Sequence, residues 1–179
     1  VQQAVFDLIQ TLVDALAAAD EQLQDGDILA VSSKYAAISE GRIVNLGDVE
    51  ITADADYLAQ RYNMHPAMAQ LVLQEADHIF GGIQLGLLLT HNEGIISPNA
   101  GLDRSNIPAG QVVLFSEDPY RTAAEIRRQV CEHLKADVGV ILTASWLMPG
   151  RWGTTGVALA SAGLRPIQDE RGKTDLFGN

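Results

Sequence analysis

Basic residues are scarce in this chain: 12 Lys and Arg stand against 23 Asp and Glu, for a formal net charge of -11. Such a field repels nucleic-acid backbones and anionic lipid, and no local basic patch offers an exception, so neither a nucleic acid nor a membrane is the expected partner. Arg127-Arg128 and the dispersed Arg165, Arg171 and Lys173 suffice for a nucleotide, not for a duplex. Cysteine occurs once, at Cys131, which excludes an intramolecular disulfide, fits a reducing compartment such as the cytoplasm, and reads as a small hydrophobe on a helix face. No apolar run reaches the roughly 20 residues of a membrane span, and no secretory pattern opens the chain. The first residue is Val1 rather than a methionine, and is read as a cut. There is no G-x-G-x-x-G between a strand and a helix, and Gly172-Lys173-Thr174 lacks the upstream glycine of a P-loop because Ile167 stands there. Neither a fixed-period repeat nor a low-complexity linker divides the chain. What remains, 179 residues with 47% hydrophobic and 20% charged content, is enough for one soluble domain with a real core.

Periodicity along the chain predicts mixed elements. Val5, Leu8, Ile9, Leu12, Val13 and Leu16 recur at helical spacing within residues 1–19. After the turn Asp25-Gly26-Asp27, the run Ile28-Leu29-Ala30-Val31-Ser32-Ser33 predicts a strand buried on both faces that ends in hydroxyls and Lys34. Thr52 predicts a helix cap, and Pro66 the first turn of a further helix reaching His78. His65 and His78 then read as capping or surface residues, and His91 as part of a turn with Asn92, Glu93 and Gly94. Asp118-Pro119 opens a helix to about Lys135, and residues 138–143 predict another buried strand, followed by a loop through Pro149 and an apolar run from Thr155. Hairpin signals break any regular alternation, so the expected class is α+β, a mixed sheet with hairpins and packed helices, and not a Rossmann or P-loop fold.

The most concentrated polar chemistry lies in Asn99-Ala100-Gly101-Leu102-Asp103-Arg104-Ser105-Asn106, wedged between apolar runs. A carboxylate, a guanidinium, a hydroxyl and two carboxamides on one connection offer ligands for a hard cation and donors for phosphate. The same composition also describes an Asx-rich turn in which Asn99, Asp103 and Asn106 satisfy only backbone. Both readings are open on composition. So are two for Arg104, pairing with Glu93 or reaching phosphate; two for Arg151, a cation-π pair with Trp152 or a substrate contact; and two for Lys173 and Asp175, a solvated pair or ligands.

Several segments together resemble one family. They are Gly26-Asp27-Ile28-Leu29-Ala30-Val31-Ser32-Ser33-Lys34, Glu40-Gly41-Arg42, the Asn99 to Asn106 block, Glu117-Asp118-Pro119, Gly156-Val157-Ala158, Ala162-Gly163-Leu164 and Arg171-Gly172-Lys173-Thr174-Asp175-Leu176-Phe177-Gly178. The chain resembles coenzyme F-420:L-glutamate ligase, the γ-glutamyl ligase of the deazaflavin cofactor. The resemblance implies an enzyme that uses GTP and Mg²⁺ or Mn²⁺ to join L-glutamate to the carboxylate tail of a deazaflavin precursor through an acyl phosphate, working as a homodimer. It implies Ser33 and Asn106 as nucleotide contacts and Asp103 and Ser145 as metal ligands; it assigns no catalytic residue. Two positions depart from the family: Ile38 stands where a lysine is usual, and Ala144 where a metal-binding aspartate is expected. The stretch Trp146-Leu147-Met148-Pro149-Gly150-Arg151 also differs from the usual wording. The family's N-terminal loop and C-terminal portion have no counterpart here, so the expectation is a single ligase-like domain over residues 1–179. The competing expectation is an impaired or inactive relative that binds nucleotide or deazaflavin without turnover.

Overall fold

A computed structural model describes residues 4–148 and 150–178; residues 1–3 of the expected first helix, and Pro149 of the expected loop, lie outside them. The order is α1 (Leu8–Ala18), β1 (Ile28–Ser32), α2 (Ser33–Ser39), β2 (Ile43–Asn45), α3 (Ala53–Tyr62), α4 (Pro66–Glu75), β3 (His78–Ile83), β4 (Leu87–Asn92), β5 (Ile95–Pro98), β6 (Gln111–Val113), α5 (Pro119–Leu134), β7 (Gly139–Leu147) and β8 (Thr154–Ala162). Single 3-10 turns follow β2 and β5. β1 runs parallel to β7 and β8 antiparallel to it; β2 pairs with β6, and β3, β4 and β5 form an antiparallel meander. This is an α+β fold with mixed sheets and hairpins, as the residue pattern predicts. No helix among the described residues is long and apolar enough to cross a membrane.

Local chemistry sets most boundaries. Asp118 Oδ1 accepts from Arg121 N at 2.9 Å, with Pro119 at the first helical position of α5. Thr52 caps α3 through Ala55 N, and His65 Nδ1 accepts from Ala67 N at 3.2 Å ahead of Pro66, so His65 is a capping histidine. α5 and α1 cover the β1-β7-β8 sheet, bringing Ile126, Val130, Leu8 and Ile9 onto Val31, Val140 and Leu142. Each such side chain, fully buried, contributes about 1.5–3 kcal/mol, and a charge at Val130 removes the centre of that face. A second cluster joins Leu46, Met68 and Leu71 to Val112 and Leu114, fixing the strand that borders the polar loop.

Four expectations are corrected. α1 starts at Leu8 because Asp7 caps it, and Val5 is 70% exposed. β1 is an edge strand paired with β7 alone; Val31 is its buried residue, and Ile28 faces solvent. α4 ends at Glu75, and His78 opens β3, a strand the sequence pattern hides because Gly81-Gly82 interrupt it and Phe80 and Ile83 are exposed. His91 lies inside β4, opposite Ile96; the hairpin turn is Glu93-Gly94, both at positive φ.

Candidate functional site

The register of two strands creates the site. Ser32 of β1 pairs with Thr143 of β7. At that level β1 turns into α2 at Ser33 and Lys34, while β7 continues through Ala144 and Ser145. These residues therefore sit at the carboxyl end of a parallel pair, where open sheets form ligand crevices. The Asn99 to Asn106 connection closes the opposite wall. Ser33, Asp103, Asn106, Ala144 and Ser145 all line one cavity of about 530 Å³. The carried-over positions, scattered in sequence, are thus brought together.

The loop reaches this wall through an uncommon backbone. Asn99, Ala100 and Gly101 all have positive φ, at 50°, 54° and 74°. Each non-glycine residue held there costs about 1–2 kcal/mol, so side chains must enforce it. Asn99 Oδ1 accepts from Leu88 N at 2.8 Å and its Nδ2 donates to Gly86 O at 3.1 Å. Buried Thr90 Oγ1 accepts from Ala100 N at 2.8 Å while donating to Ser97 O at 2.7 Å. Beyond the turn, Asp103 and Val113 exchange both backbone bonds at 2.9 Å, tying the loop to β6. Backbone strain of this kind concentrates at sites where side chains must be aimed.

Asp103 is partly an Asx turn and partly more. Its Oδ1 accepts from Ser105 N and from Ser105 Oγ, both at 2.7 Å. Its Oδ2 lies 2.8 Å from Lys34 Nζ, which also donates to Ser105 O at 2.7 Å and Ser105 Oγ at 2.6 Å. Burial pushes the Asp103 carboxyl up, but the hydrogen bonds from Lys34 and Ser105, with the Lys34 charge, outweigh it and hold the group below the usual carboxylate range. Among the described residues lining the cavity, Lys34 is the one basic side chain. The sequence pattern marks it only as a residue at a strand end, because its partners lie on the distant loop.

A larger hollow of about 800 Å³ lies between α1 and α5, but Asp7, Glu40, Glu117, Asp118 and Glu125 line it against Arg42 and Arg121. Arg42 is already paired with Glu75. An anionic ligand therefore favours the smaller cavity.

The chain matches known proteins over nearly its whole length. The family model described as F420-0:Gamma-glutamyl ligase matches residues 3–179. The Coenzyme F420:L-glutamate ligase of Methanopyrus kandleri is 36% identical over 166 residues, 91% of this chain and 65% of that protein. The protein of the same name from Methanothermobacter thermautotrophicus is 31% identical over 175 residues, 96% of this chain and 68% of that one. The chain belongs to the γ-glutamyl ligase family. It spans about two thirds of the length of these curated relatives.

The two positions expected to depart from this family have different structural settings. Ile38 is 1% exposed and packs with Ala37 and Val113, so it is core and not cavity wall. Ala144 lines the cavity, half-buried, and supplies no ligand. Among the described residues no group of three or more His, Cys, Asp and Glu is placed to hold a metal. The donors present are oxygens: the Asp103 carboxylate, the Ser33 and Ser145 hydroxyls and the Asn106 carboxamide. That set fits Mg²⁺ or Mn²⁺ when phosphate oxygens and water complete the shell, the way Mg²⁺ is usually held, and not an all-protein cage.

Other candidates fall outside. Arg104 is exposed, with no ion pair to Glu93 among the described residues. Arg151 makes no cation-π contact with Trp152, which is 98% exposed; the pair of that type among the described residues is Arg61 with Tyr62. Lys173 pairs with Glu170 at 2.8 Å, and Asp175 accepts from Phe177 N in a local turn. Leu176 and Phe177 are solvent-exposed.

Proposed function

We propose that this chain is a γ-glutamyl ligase domain of coenzyme F-420 assembly, joining L-glutamate to the carboxylate tail of a deazaflavin precursor with GTP as phosphoryl donor. The observation that carries this reading is the convergence of Ser33, Asp103, Asn106 and Ser145 on one cavity beside Lys34. The Ser33 hydroxyl and Asn106 carboxamide orient the nucleotide, and Lys34 neutralises phosphate charge. Asp103 and Ser145 would hold Mg²⁺ or Mn²⁺, and the bound ion would supply charge neutralisation at the phosphates. Phosphoryl transfer leaves a protein mainly positioning and electrostatic work, which such a wall of donors supplies. The tail carboxylate takes the γ-phosphoryl group of GTP, with GDP as the leaving group, to become an acyl phosphate; attack by the glutamate amine then expels phosphate, loses a proton and forms the amide. By family resemblance the proposal includes a homodimer in the cytoplasm.

A second reading is favoured by one residue. Ala144 occupies the cavity wall without offering a ligand, so the domain binds nucleotide and cation weakly and does not turn over. Mass spectrometry of the deazaflavin precursor after incubation with GTP, L-glutamate and Mn²⁺ separates the two. A glutamyl mass gain with the natural chain supports the ligase; a gain only with Ala144→Asp supports the impaired form. No gain from either rejects turnover by this chain.

A further inference from the structure

We propose that Lys34 is a built-in counter-ion that keeps divalent cations off Asp103 until a nucleotide's phosphates draw its ammonium away. The inference rests on the nucleotide reading of the cavity. Its basis is a saturated contact set. An ammonium has three donors, and Lys34 Nζ has three acceptors within reach: Asp103 Oδ2 at 2.8 Å, Ser105 O at 2.7 Å and Ser105 Oγ at 2.6 Å. The other carboxylate oxygen is engaged too, since Asp103 Oδ1 takes Ser105 N and Ser105 Oγ at 2.7 Å each. A cation arriving at Asp103 therefore finds three of the carboxylate's roughly four acceptor sites taken, with the Lys34 ammonium beside the fourth.

The charge in its way is Lys34. An ammonium and a divalent ion on one carboxylate repel each other at a few ångströms, and with the Lys34 and Asp103 side chains 20% and 37% exposed, solvent screens that repulsion only in part. Ala144 sharpens the competition, because no second carboxylate in the wall shares the incoming charge. A free divalent ion thus meets a site that is already neutralised. A polyphosphate changes the balance: it brings oxygens for the cation and a new anion for Lys34, whose flexible stem lets the ammonium turn from Asp103 to phosphate without moving α2. Cation and nucleotide then bind as one unit. Reciprocity of coupling requires each to raise the other's affinity.

Ser105 completes the device. Its hydroxyl and backbone groups touch both partners of the pair, so they hold the loop in place when the ammonium leaves. That role explains why the Lys34 contact is made with the loop backbone as well as with the carboxylate.

The test is Mn²⁺ binding followed by electron paramagnetic resonance, with and without GTP, on the natural chain, Lys34→Gln and Lys34→Arg, with GTP affinity measured separately in EDTA. Lys34→Gln is expected to bind free Mn²⁺ about tenfold more tightly than the natural chain and metal-free GTP about tenfold more weakly, a change of one charge contact in each direction. Lys34→Arg, which keeps the charge, is expected to retain weak free-Mn²⁺ binding, and it guards against reading a folding defect as a site effect. Unchanged Mn²⁺ affinity in Lys34→Gln, with GTP·Mn²⁺ still bound by the natural chain, overturns the inference and leaves the nucleotide reading standing. No GTP binding by the natural chain at any Mn²⁺ concentration overturns that reading and the inference with it.

Discussion

Gly101 lies against the ring of Phe115: a Cβ added to it falls 2.7 Å from Phe115 Cδ2. With φ at +74°, the position is closed to other residues by backbone as well as by space. Gly101→Ala is expected to lower unfolding free energy by about 1–3 kcal/mol in urea melts. Because Phe115 lines the cavity, the variant is also expected to bind GTP more weakly.

Thr90 is fully buried and serves two backbone groups at once, the Ser97 carbonyl and the Ala100 amide. Thr90→Val keeps the shape and strands both, at a cost of about 1–3 kcal/mol. Thermal unfolding followed by circular dichroism measures it, and Thr90→Ser, which keeps the hydroxyl, is expected to lose less.

Placing at positions 38 and 144 the residues that the resemblance leads one to expect should have opposite outcomes. Ile38→Lys places an ammonium where 1% of the residue is exposed, and is expected to cost about 3 kcal/mol or more. Ala144→Asp places a carboxylate on a cavity wall, and is expected to stay within about 1 kcal/mol of the natural stability while tightening Mn²⁺ binding. Chemical denaturation of both variants under one condition makes the comparison.

The Asp103 carboxyl titrates below its ordinary value because Lys34 and Ser105 outweigh the effect of burial. A depressed folded-state value stabilises the fold above the unfolded pKa, and that contribution is lost as pH falls through the folded one. The stability difference between the natural chain and Asp103→Asn is therefore expected to be flat above about pH 5 and to shrink below about pH 4. Since Asp103 remains partly exposed, the plateau is expected at about 1 kcal/mol or less. A difference that grows on acidification contradicts the pairing.

Signals confined to a few neighbouring residues were legible in the sequence. Asp118 with Pro119, Thr52, and Pro66 after His65 all act where residue type predicts them, because caps depend on one side chain and the next turn of backbone. The candidate residues Ser33, Asp103, Asn106 and Ser145 were named from resemblance, and the fold brings them to one cavity. What escaped was set by distant contacts. β3 is hidden in the sequence because Gly81-Gly82 and exposed Phe80 mimic a loop. The exposure of β1 depends on which strand it lacks as a neighbour, and its own composition does not report that. In the sequence Lys34 reads only as a strand-end cation, since its partner loop holds Ser105, 71 residues away. Burial of Ile38 likewise depends on β6 and the segment before α1.

Paramagnetic broadening by Mn²⁺·GTP in amide NMR spectra of the natural chain tests the placement of the nucleotide most directly. The account predicts that signals of Ser33, Lys34, Asp103, Ser105, Asn106 and Ser145 broaden first, while those of Arg121 and Glu125 beside the larger hollow stay sharp. Broadening centred on Arg121 and Glu125, with Asp103 and Asn106 unaffected, contradicts it.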